Sequence, residues 1–159
     1  MAGASSDVPA FFFMATMAHD IATVTRRYKF AASHRLHCDA LSADENVRVF
    51  GKCNNPNGHG HNYVLFVTVR GPIRPDSGAV VDAAAMDRIV TERIVKRFDH
   101  TDLNLDPGFA NQTTTGENLV RLVWDLLVKE MPDVELEKVG LIETRDNYFE
   151  YRGEGVTCR

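Results

Sequence analysis

The sequence predicts an α+β fold in which a four-stranded antiparallel sheet carries two helices on one face. Three observations predict it. Two early segments alternate polar and apolar residues as strands do, two later segments space their apolar residues as helices do, and two further strand-like segments follow. The predicted order is therefore strand, strand, helix, helix, strand, strand (ββααββ), within one domain over residues 23–159.

The composition is typical of a globular domain, with 159 residues, 44% hydrophobic and 25% charged. A formal net charge of −4 argues against nucleic acid or an anionic membrane as a partner. Three cysteines, an odd number, and no pattern of a secretory signal favour a reducing compartment, so we expect a cytoplasmic protein without a disulfide framework. Residues 1–22 are predicted to be a disordered N-terminal extension, and their apolar stretch Phe11–Ala18 is too short to span a bilayer.

Alternation predicts the first two strands. Over Thr23–His34 the even positions are mostly apolar, and His34 shares their inward phase. Over His59–Arg70 the odd positions form the apolar face. Residues 37–58 connect the two strands, with a short helix predicted over Ser42–Phe50, and a connection this long in a small domain is usually functional.

Capping residues mark the two long helices. Asp82 can cap a helix over Ala83–Phe98, which has apolar residues at helical spacing. Thr115 can cap a second helix over Gly116–Met131, whose wide apolar stripe suggests contact with both the sheet and the other helix.

The last two strands are predicted over Leu136–Thr144 and Tyr148–Arg152, joined by a hairpin-like turn over residues 145–147. Because both helices cover the same face, the other face of the sheet would be exposed in a monomer. We therefore expect an oligomer that covers it.

The strongest chemical signal is a set of three histidines. His59 and His61 are two residues apart on a strand, so both project to one face, and Gly60 between them reduces crowding. A hairpin partner would bring His34 alongside. Three imidazoles with an open position are the ligand set of a catalytic zinc site, whereas structural sites usually have four ligands. A His-x-His pair alone is more often unrelated to metal; the third histidine in phase favours the metal site.

Cys53 lies six residues before His59, in a loop rich in turn formers. Its thiol is open to three interpretations: a fourth metal ligand, a base, or a bystander, because cysteine is often a small buried hydrophobe. A nearby zinc ion or Lys52 would favour the thiolate. Cys38 and Cys158 have no comparable setting and are interpreted as structural.

Two acidic positions are further candidates. Asp99-His100 follows the first long helix and is either an acid–base pair or a helix C-terminal feature, where a cationic histidine is favoured. Glu143 shares the phase of Val139 and Leu141, so a carboxylate ends an apolar strand face. A buried acid needs partners. A ring with two N–H groups, such as a pterin or guanine, would provide them, and so would an internal Arg or Lys.

Five segments together resemble the 6-pyruvoyl-tetrahydropterin synthase family. The longest and most specific runs from Phe50 to Tyr63 and reads FGKCNNPNGHGHNY. The shorter ones are Ser33–Leu36, Asp99-His100, Thr115–Asn118 and Glu143-Thr144. The resemblance covers roughly residues 25–153, nearly the whole predicted domain.

The resemblance implies a metal centre and a base. One zinc ion per subunit would be bound by three histidines, which are His34, His59 and His61. Cys53 would be the catalytic base. Its catalytic partners would be Asp99 and His100.

The resemblance also implies how the substrate binds. Glu143 would anchor the pterin, and Thr115 would lie near it. Gly116 departs from the family pattern, which often has Thr or Ser at this position.

The fold implied by the resemblance is the tunnelling fold. Trimers close their sheets into a barrel, and two trimers stack into a homohexamer with active sites between subunits. Asp99 and His100 would then serve the Cys53 of a neighbouring subunit. This agrees with the uncovered sheet face inferred from the helices.

The reaction implied is that of a carbon–oxygen lyase acting on phosphates. It converts 7,8-dihydroneopterin triphosphate to 6-pyruvoyl-tetrahydropterin with elimination of triphosphate, in tetrahydrobiopterin biosynthesis. The cofactor implied is Zn²⁺, and Mg²⁺ is expected to be needed for activity.

Two alternatives remain. One branch of the superfamily makes 6-carboxy-tetrahydropterin for queuosine, and its members usually place their cysteine four residues before the first His of the His-Gly-His motif, not six. The non-enzyme alternative is a zinc-stabilised binding module in which Cys53 is a fourth ligand.

Overall fold

Two long antiparallel strands form the centre of the sheet, β1 (Ile21–His34) and β2 (His59–Pro72). The computed structural model describes residues 20–131 and 134–153, and residues 1–19 of the predicted extension lie outside them. The burial pattern follows the predicted phases, with even positions of β1 and odd positions of β2 facing inward. The alternation in the sequence therefore identified both strands and their buried faces.

The sheet has five strands rather than the predicted four, in the order β3-β1-β2-β4-β5. The added strand, β3 (Thr101–Asp102), pairs parallel with β1. Two residues are too few to show a period, so the sequence pattern could not reveal them. β4 (Glu135–Ile142) and β5 (Tyr148–Tyr151) complete an otherwise antiparallel sheet. The predicted α+β class is confirmed.

The first helix, α1 (Ala43–Phe50), lies in the connection between β1 and β2. Ser42 caps it: the Ser42 hydroxyl accepts from the Glu45 backbone N–H, and the Glu45 carboxylate accepts from the Ser42 backbone N–H. Such reciprocal capping stabilises a helix too short to persist alone. A 3₁₀ turn, Gly51–Asn54, follows and carries Cys53.

The predicted helix over 83–98 is continuous but not regular. It consists of α2 (Ala83–Val90), a π-helical turn (Thr91–Val95) and α3 (Lys96–Phe98). Asp82 caps α2 as predicted, accepting from the backbone N–H groups of Ala84 and Ala85. π-helical turns often occur near functional sites, and this one is separated from Asp99-His100 only by the short α3.

The last helix is α4 (Gly116–Leu127), which ends before the predicted Met131. Thr115 caps it as predicted, its hydroxyl accepting from the Asn118 N–H. The core lies between the helices and the inner face of the sheet. Its fully buried members include Leu65, Val67, Val69, Val90, Ile94, Phe98, Leu119, Val123, Leu127, Val139 and Leu141.

Among the residues that the structure describes, no helix combines the length and the apolar character needed to cross a membrane.

Gly116, the departure from the family pattern, has a steric reason. A Cβ atom at this position would lie 2.1 Å from the ring of Phe149 on β5. The aromatic ring fills the space that a side chain at position 116 would need. The glycine and the phenylalanine are therefore a matched pair across the α4–β5 contact.

This match predicts a coupled mutational effect. Gly116→Thr should lower the free energy of unfolding by about 1–3 kcal/mol, because the core cannot absorb the added atoms. Phe149→Val should cost stability by leaving a cavity, but Gly116→Thr with Phe149→Val should cost less than the sum of the two. Urea unfolding of the parent, both single variants and the double variant measures this; strictly additive losses would show that the two residues do not share the space.

Candidate active site

Three imidazoles meet at one end of the β1–β2 pair. The antiparallel register places His34 opposite His59 and Ala32 opposite His61, so the three rings converge on the inner face. The His34 Nε2 atom lies 3.2 Å from the Nε2 of His59 and 3.1 Å from that of His61. One ligand atom from each ring lies within 4.8 Å of the others. The structure therefore brings the predicted histidines together.

This cluster fits a metal ion. Tetrahedral coordination at about 2.0–2.1 Å places two nitrogen ligands about 3.3–3.4 Å apart, close to the two separations between the Nε2 of His34 and those of His59 and His61. His34 Nδ1 lies 2.8 Å from the carbonyl oxygen of Thr114, an acceptor, so Nδ1 carries the proton and Nε2 offers its lone pair. His59 Nδ1 is buried without a hydrogen-bond partner among the described residues. The three side chains could hold a metal ion.

The turn that leads into the cluster requires a glycine at position 58, whereas position 60 has room for a Cβ atom. Gly58 adopts φ of 66°, and a Cβ atom there would lie 3.1 Å from the backbone oxygen of His34. At Gly60 a Cβ atom would meet only the Ala32 oxygen, at an ordinary 3.5 Å. The turn before His59, and not the residue between the histidines, therefore carries the steric constraint.

Glu143 places its carboxylate beside the cluster. β4 ends at Ile142, one residue earlier than the position of Glu143, but the side chain still enters the inner face. Its Oε1 atom lies 3.8 Å from His34 Nε2 and 4.0 Å from His61 Nε2. The carboxylate is 11% exposed. Glu143, which was predicted to end an apolar strand face, therefore lies close to the imidazoles of the cluster.

Tyr63, on the buried face of β2, connects Glu143 to the core. It is 1% exposed, and its hydroxyl donates to Glu143 Oε1 at 3.4 Å. Its ring stacks on Phe30, with centroids 5.0 Å apart. Burial, followed by the charges of Glu143 and Cys53, raises the pKa of Tyr63 far above its ordinary value. The phenol is thus held as a neutral hydrogen-bond donor.

Burial favours the neutral forms of His59 and His61. Desolvation is the largest cause that lowers the pKa of His59 below 6.5, and the neighbouring His34 lowers it further. Desolvation also lowers the pKa of His61, although the Glu143 carboxylate partly opposes it. A neutral imidazole is the form that binds a metal ion.

Cys53 is half-buried in the 3₁₀ turn that precedes β2. Its backbone oxygen accepts from the Leu36 N–H at 2.9 Å, which ties this turn to the chain directly after β1. The thiol is free, so it is available for chemistry.

Asp99 and His100 do contact each other. Asp99 Oδ2 lies 3.0 Å from His100 Nδ1, and Asp99 Oδ1 accepts from the Ala31 N–H at 2.8 Å. His100 has a left-handed backbone, φ 59°, held by its own N–H donating to the Ala31 oxygen at 2.6 Å. The Ala31 hydrogen bond, then the contact with His100, lowers the pKa of Asp99. Such backbone strain is characteristic of functional sites.

This Asp–His pair lies at the edge of β1 that pairs with β3, where both residues bond the backbone of Ala31. The His100 ring is 82% exposed and lines a cleft of about 410 Å³. The cleft is also lined by Asn62 and, from the histidine cluster, by His61. His100 and one of the three clustered histidines therefore border the same cleft of a single chain.

A family model described as 6-pyruvoyl tetrahydropterin synthase matches residues 23–154. The chain belongs to this family. A human relative named 6-pyruvoyl tetrahydrobiopterin synthase is 47% identical over 134 residues, which cover 84% of this chain and 92% of the relative. A *Drosophila melanogaster* relative of the same name is 44% identical, covering 84% of this chain and 80% of its own.

Solved structures agree with the synthase family. The *Caenorhabditis elegans* 6-pyruvoyl tetrahydropterin synthase superposes with a TM-score of 0.82 at 40% identity, covering 86% of this chain and 98% of that one. The *Plasmodium falciparum* 6-pyruvoyl tetrahydropterin synthase gives a TM-score of 0.60 at 15% identity, with 84% and 98% covered. The second likeness concerns the fold alone.

Reasoning from the sequence missed two residues beside the histidine cluster, Tyr63 and Thr114. Tyr63 has the same phase as His59 and His61, so its place on the face of the cluster could have been predicted. Thr114 could not, because a backbone carbonyl that bonds His34 leaves no signal in residue type. Thr115 lies next to it as the cap of α4.

The lowered pKa values predict how stability depends on pH. Because His59 and His61 titrate below 6.5 in the folded state, the unfolded chain binds more protons between the folded pKa and 6.5. Their contribution to stability is complete above about pH 6.5 and is lost as the pH falls through the folded pKa. The melting temperature of the metal-free protein should therefore fall between about pH 7 and pH 5, a range above the titration of most carboxylates.

His59→Gln should flatten this pH dependence, since it removes one of the two groups. Asn57→Gln, at an exposed position without a titrating side chain, is the matched control and should leave the slope unchanged. Calorimetric scans of the metal-free proteins measure the effect, and an equal slope for parent and His59→Gln would contradict it.

Proposed function

We propose that this protein is a zinc-dependent lyase that converts 7,8-dihydroneopterin triphosphate to 6-pyruvoyl-tetrahydropterin and releases triphosphate, as a step of tetrahydrobiopterin biosynthesis. The observation that carries the proposal is the cluster of three imidazoles beside a buried carboxylate, in a chain 47% identical to a relative named for this synthesis. The donor set favours zinc, because three histidines and an open position are typical of catalytic zinc sites.

Substrate binding would use Glu143 and Thr115. The Glu143 carboxylate is half of a recognition pair for the adjacent N–H groups of a pterin ring, and such a charge-assisted double hydrogen bond is strong when buried. Tyr63 donates to Glu143 and so holds one of its oxygens in place. Anchoring the ring there would direct the substrate side chain towards the histidine cluster, of which His34 and His61 lie 3.8 Å and 4.0 Å from the carboxylate.

The chemistry begins at the substrate side chain. Zinc bound by His34, His59 and His61 would polarise the side-chain oxygens and so acidify the adjacent C–H bond. Cys53, as thiolate, would remove that proton. Asp99 and His100 would move protons to or from the second carbon as triphosphate leaves, with Asp99 holding the imidazole at Nδ1. Oxidation and reduction occur within one molecule, so the reaction needs no redox cofactor.

The assembly we propose is a homohexamer, a dimer of trimers, with the active sites between subunits. Its support is the exposure of the proposed partner group: the His100 ring is 82% exposed and borders a cleft that a second chain can reach. A neighbouring subunit could place its Asp99 and His100 against this chain's Cys53. We further propose one Zn²⁺ per subunit, Mg²⁺ bound with the triphosphate, and a cytoplasmic location.

The first test of this function is a product analysis. Zinc-loaded protein incubated with 7,8-dihydroneopterin triphosphate and Mg²⁺ should yield triphosphate and 6-pyruvoyl-tetrahydropterin, identified by mass. Cys53→Ala should abolish turnover while zinc content stays at one per subunit, with Cys38→Ala as the matched control that retains both. A shortened or carboxylated side chain would favour the queuosine-type reaction, and loss of zinc from Cys53→Ala would make Cys53 a ligand.

The intersubunit arrangement predicts complementation. Cys53→Ala and His100→Ala homohexamers should each be inactive, but hexamers reassembled from a mixture should recover part of the parent activity. Recovery follows because some sites would combine an intact Cys53 with an intact His100 from the neighbour. No recovery in mixed hexamers, verified by mass, would place Cys53 and His100 of each site in the same subunit.

A further inference from the structure

His34 differs from the other two histidines in how its second ring nitrogen is used. Its Nδ1 atom donates to the carbonyl oxygen of Thr114 at 2.8 Å. Both residues are buried, with His34 2% and Thr114 1% exposed. Among the described residues, the Nδ1 of His34 has a backbone carbonyl as its hydrogen-bond partner. The Nδ1 of His59, in contrast, is buried without a partner.

The Thr114 carbonyl is itself held by side chains. The Thr114 hydroxyl donates to the backbone oxygen of Arg35 at 3.3 Å, directly after the end of β1. This bond ties Thr114 to the residue next to His34, so the carbonyl and the imidazole are attached to the same short piece of chain. The hydrogen bond between Thr114 and Arg35 therefore constrains the distance between the Thr114 carbonyl and the His34 imidazole.

A second anchor comes from α4. The side-chain amide of Asn118 donates to the backbone oxygen of Thr113 at 2.8 Å, and the Asn118 backbone N–H donates to the Thr115 hydroxyl at 3.4 Å. Asn118 thus fixes the residues on both sides of Thr114. Asn118 belongs to the Thr-Gly-Glu-Asn segment of the sequence, but the proposed mechanism gives it no role.

We infer that Thr114 and Asn118 are positioning residues for the proposed zinc site. They hold a carbonyl that keeps the proton of His34 on Nδ1 and directs its Nε2 lone pair into the cluster. Partners of this kind that bond the second nitrogen of a ligating histidine fix its tautomer and orientation, and their loss typically costs 10–100-fold in metal affinity. The inference rests on the proposed zinc site but not on the proposed reaction.

The first readout is metal affinity, measured by competition between metal-free protein and a zinc chelator. Asn118→Ala and Thr114→Val should each weaken zinc binding by about tenfold. Thr114→Ser keeps the hydroxyl and should restore the parent affinity. Thr113→Val is the matched control, because its carbonyl, and not its hydroxyl, bonds Asn118, and it should bind zinc as the parent does. Parent-like affinity in both Asn118→Ala and Thr114→Val would overturn the inference.

The second readout is the tautomer of His34, which a merely structural role would not change. Long-range ¹⁵N–¹H correlation spectra of the metal-free protein should show the His34 proton on Nδ1, and Asn118→Ala should show a mixture of tautomers. A His34 proton on Nε2 in the parent, or an unchanged Nδ1 signal in a variant with weakened zinc binding, would refute it. Neither readout uses turnover, so an inactive parent would count against the proposed reaction and leave this result standing.

Discussion

The register of β1 against β2 is the constraint on which the rest of the site depends. The strands pair without a break from Ile21 opposite Pro72 to His34 opposite His59. Since successive side chains point to opposite faces, a slip of one residue would turn the apolar set of a strand outward together with its histidines. The burial of the apolar face therefore also sets the geometry of the three imidazoles, and misplacing one of them would cost the packing of an entire strand.

Burial then determines the protonation state of the histidines that this register brings together. Desolvation lowers the pKa of His59 and His61, so both stay neutral and able to bind a metal ion near neutral pH. Glu143 opposes this effect, because its carboxylate favours protonated imidazoles. The Tyr63 hydroxyl hydrogen-bonds to Glu143, and its raised pKa means that it remains a donor. The site is thus a buried polar cluster in which the Glu143 carboxylate lies beside three imidazoles.

The edge of β1 brings a second pair of polar groups close to the cluster. The backbone of Ala31 bonds Asp99 and His100, and it lies three residues from His34 on the same strand. His100 lines a cleft together with His61, and its ring is 82% exposed. A neighbouring chain could therefore reach His100, as the proposed assembly requires.

The sequence by itself determined the period of each long element, and hence the phase of His34, His59 and His61 and the caps at Asp82 and Thr115. These features are local: a period of two or 3.6 and a capping side chain are visible in neighbouring residues. Tertiary structure alone decided the short strand β3, the ring of Phe149 in the place of a side chain at Gly116, and the Thr114 carbonyl that orients His34. Each of these joins residues far apart in the chain, often through backbone atoms that all residue types share, so no local pattern records them.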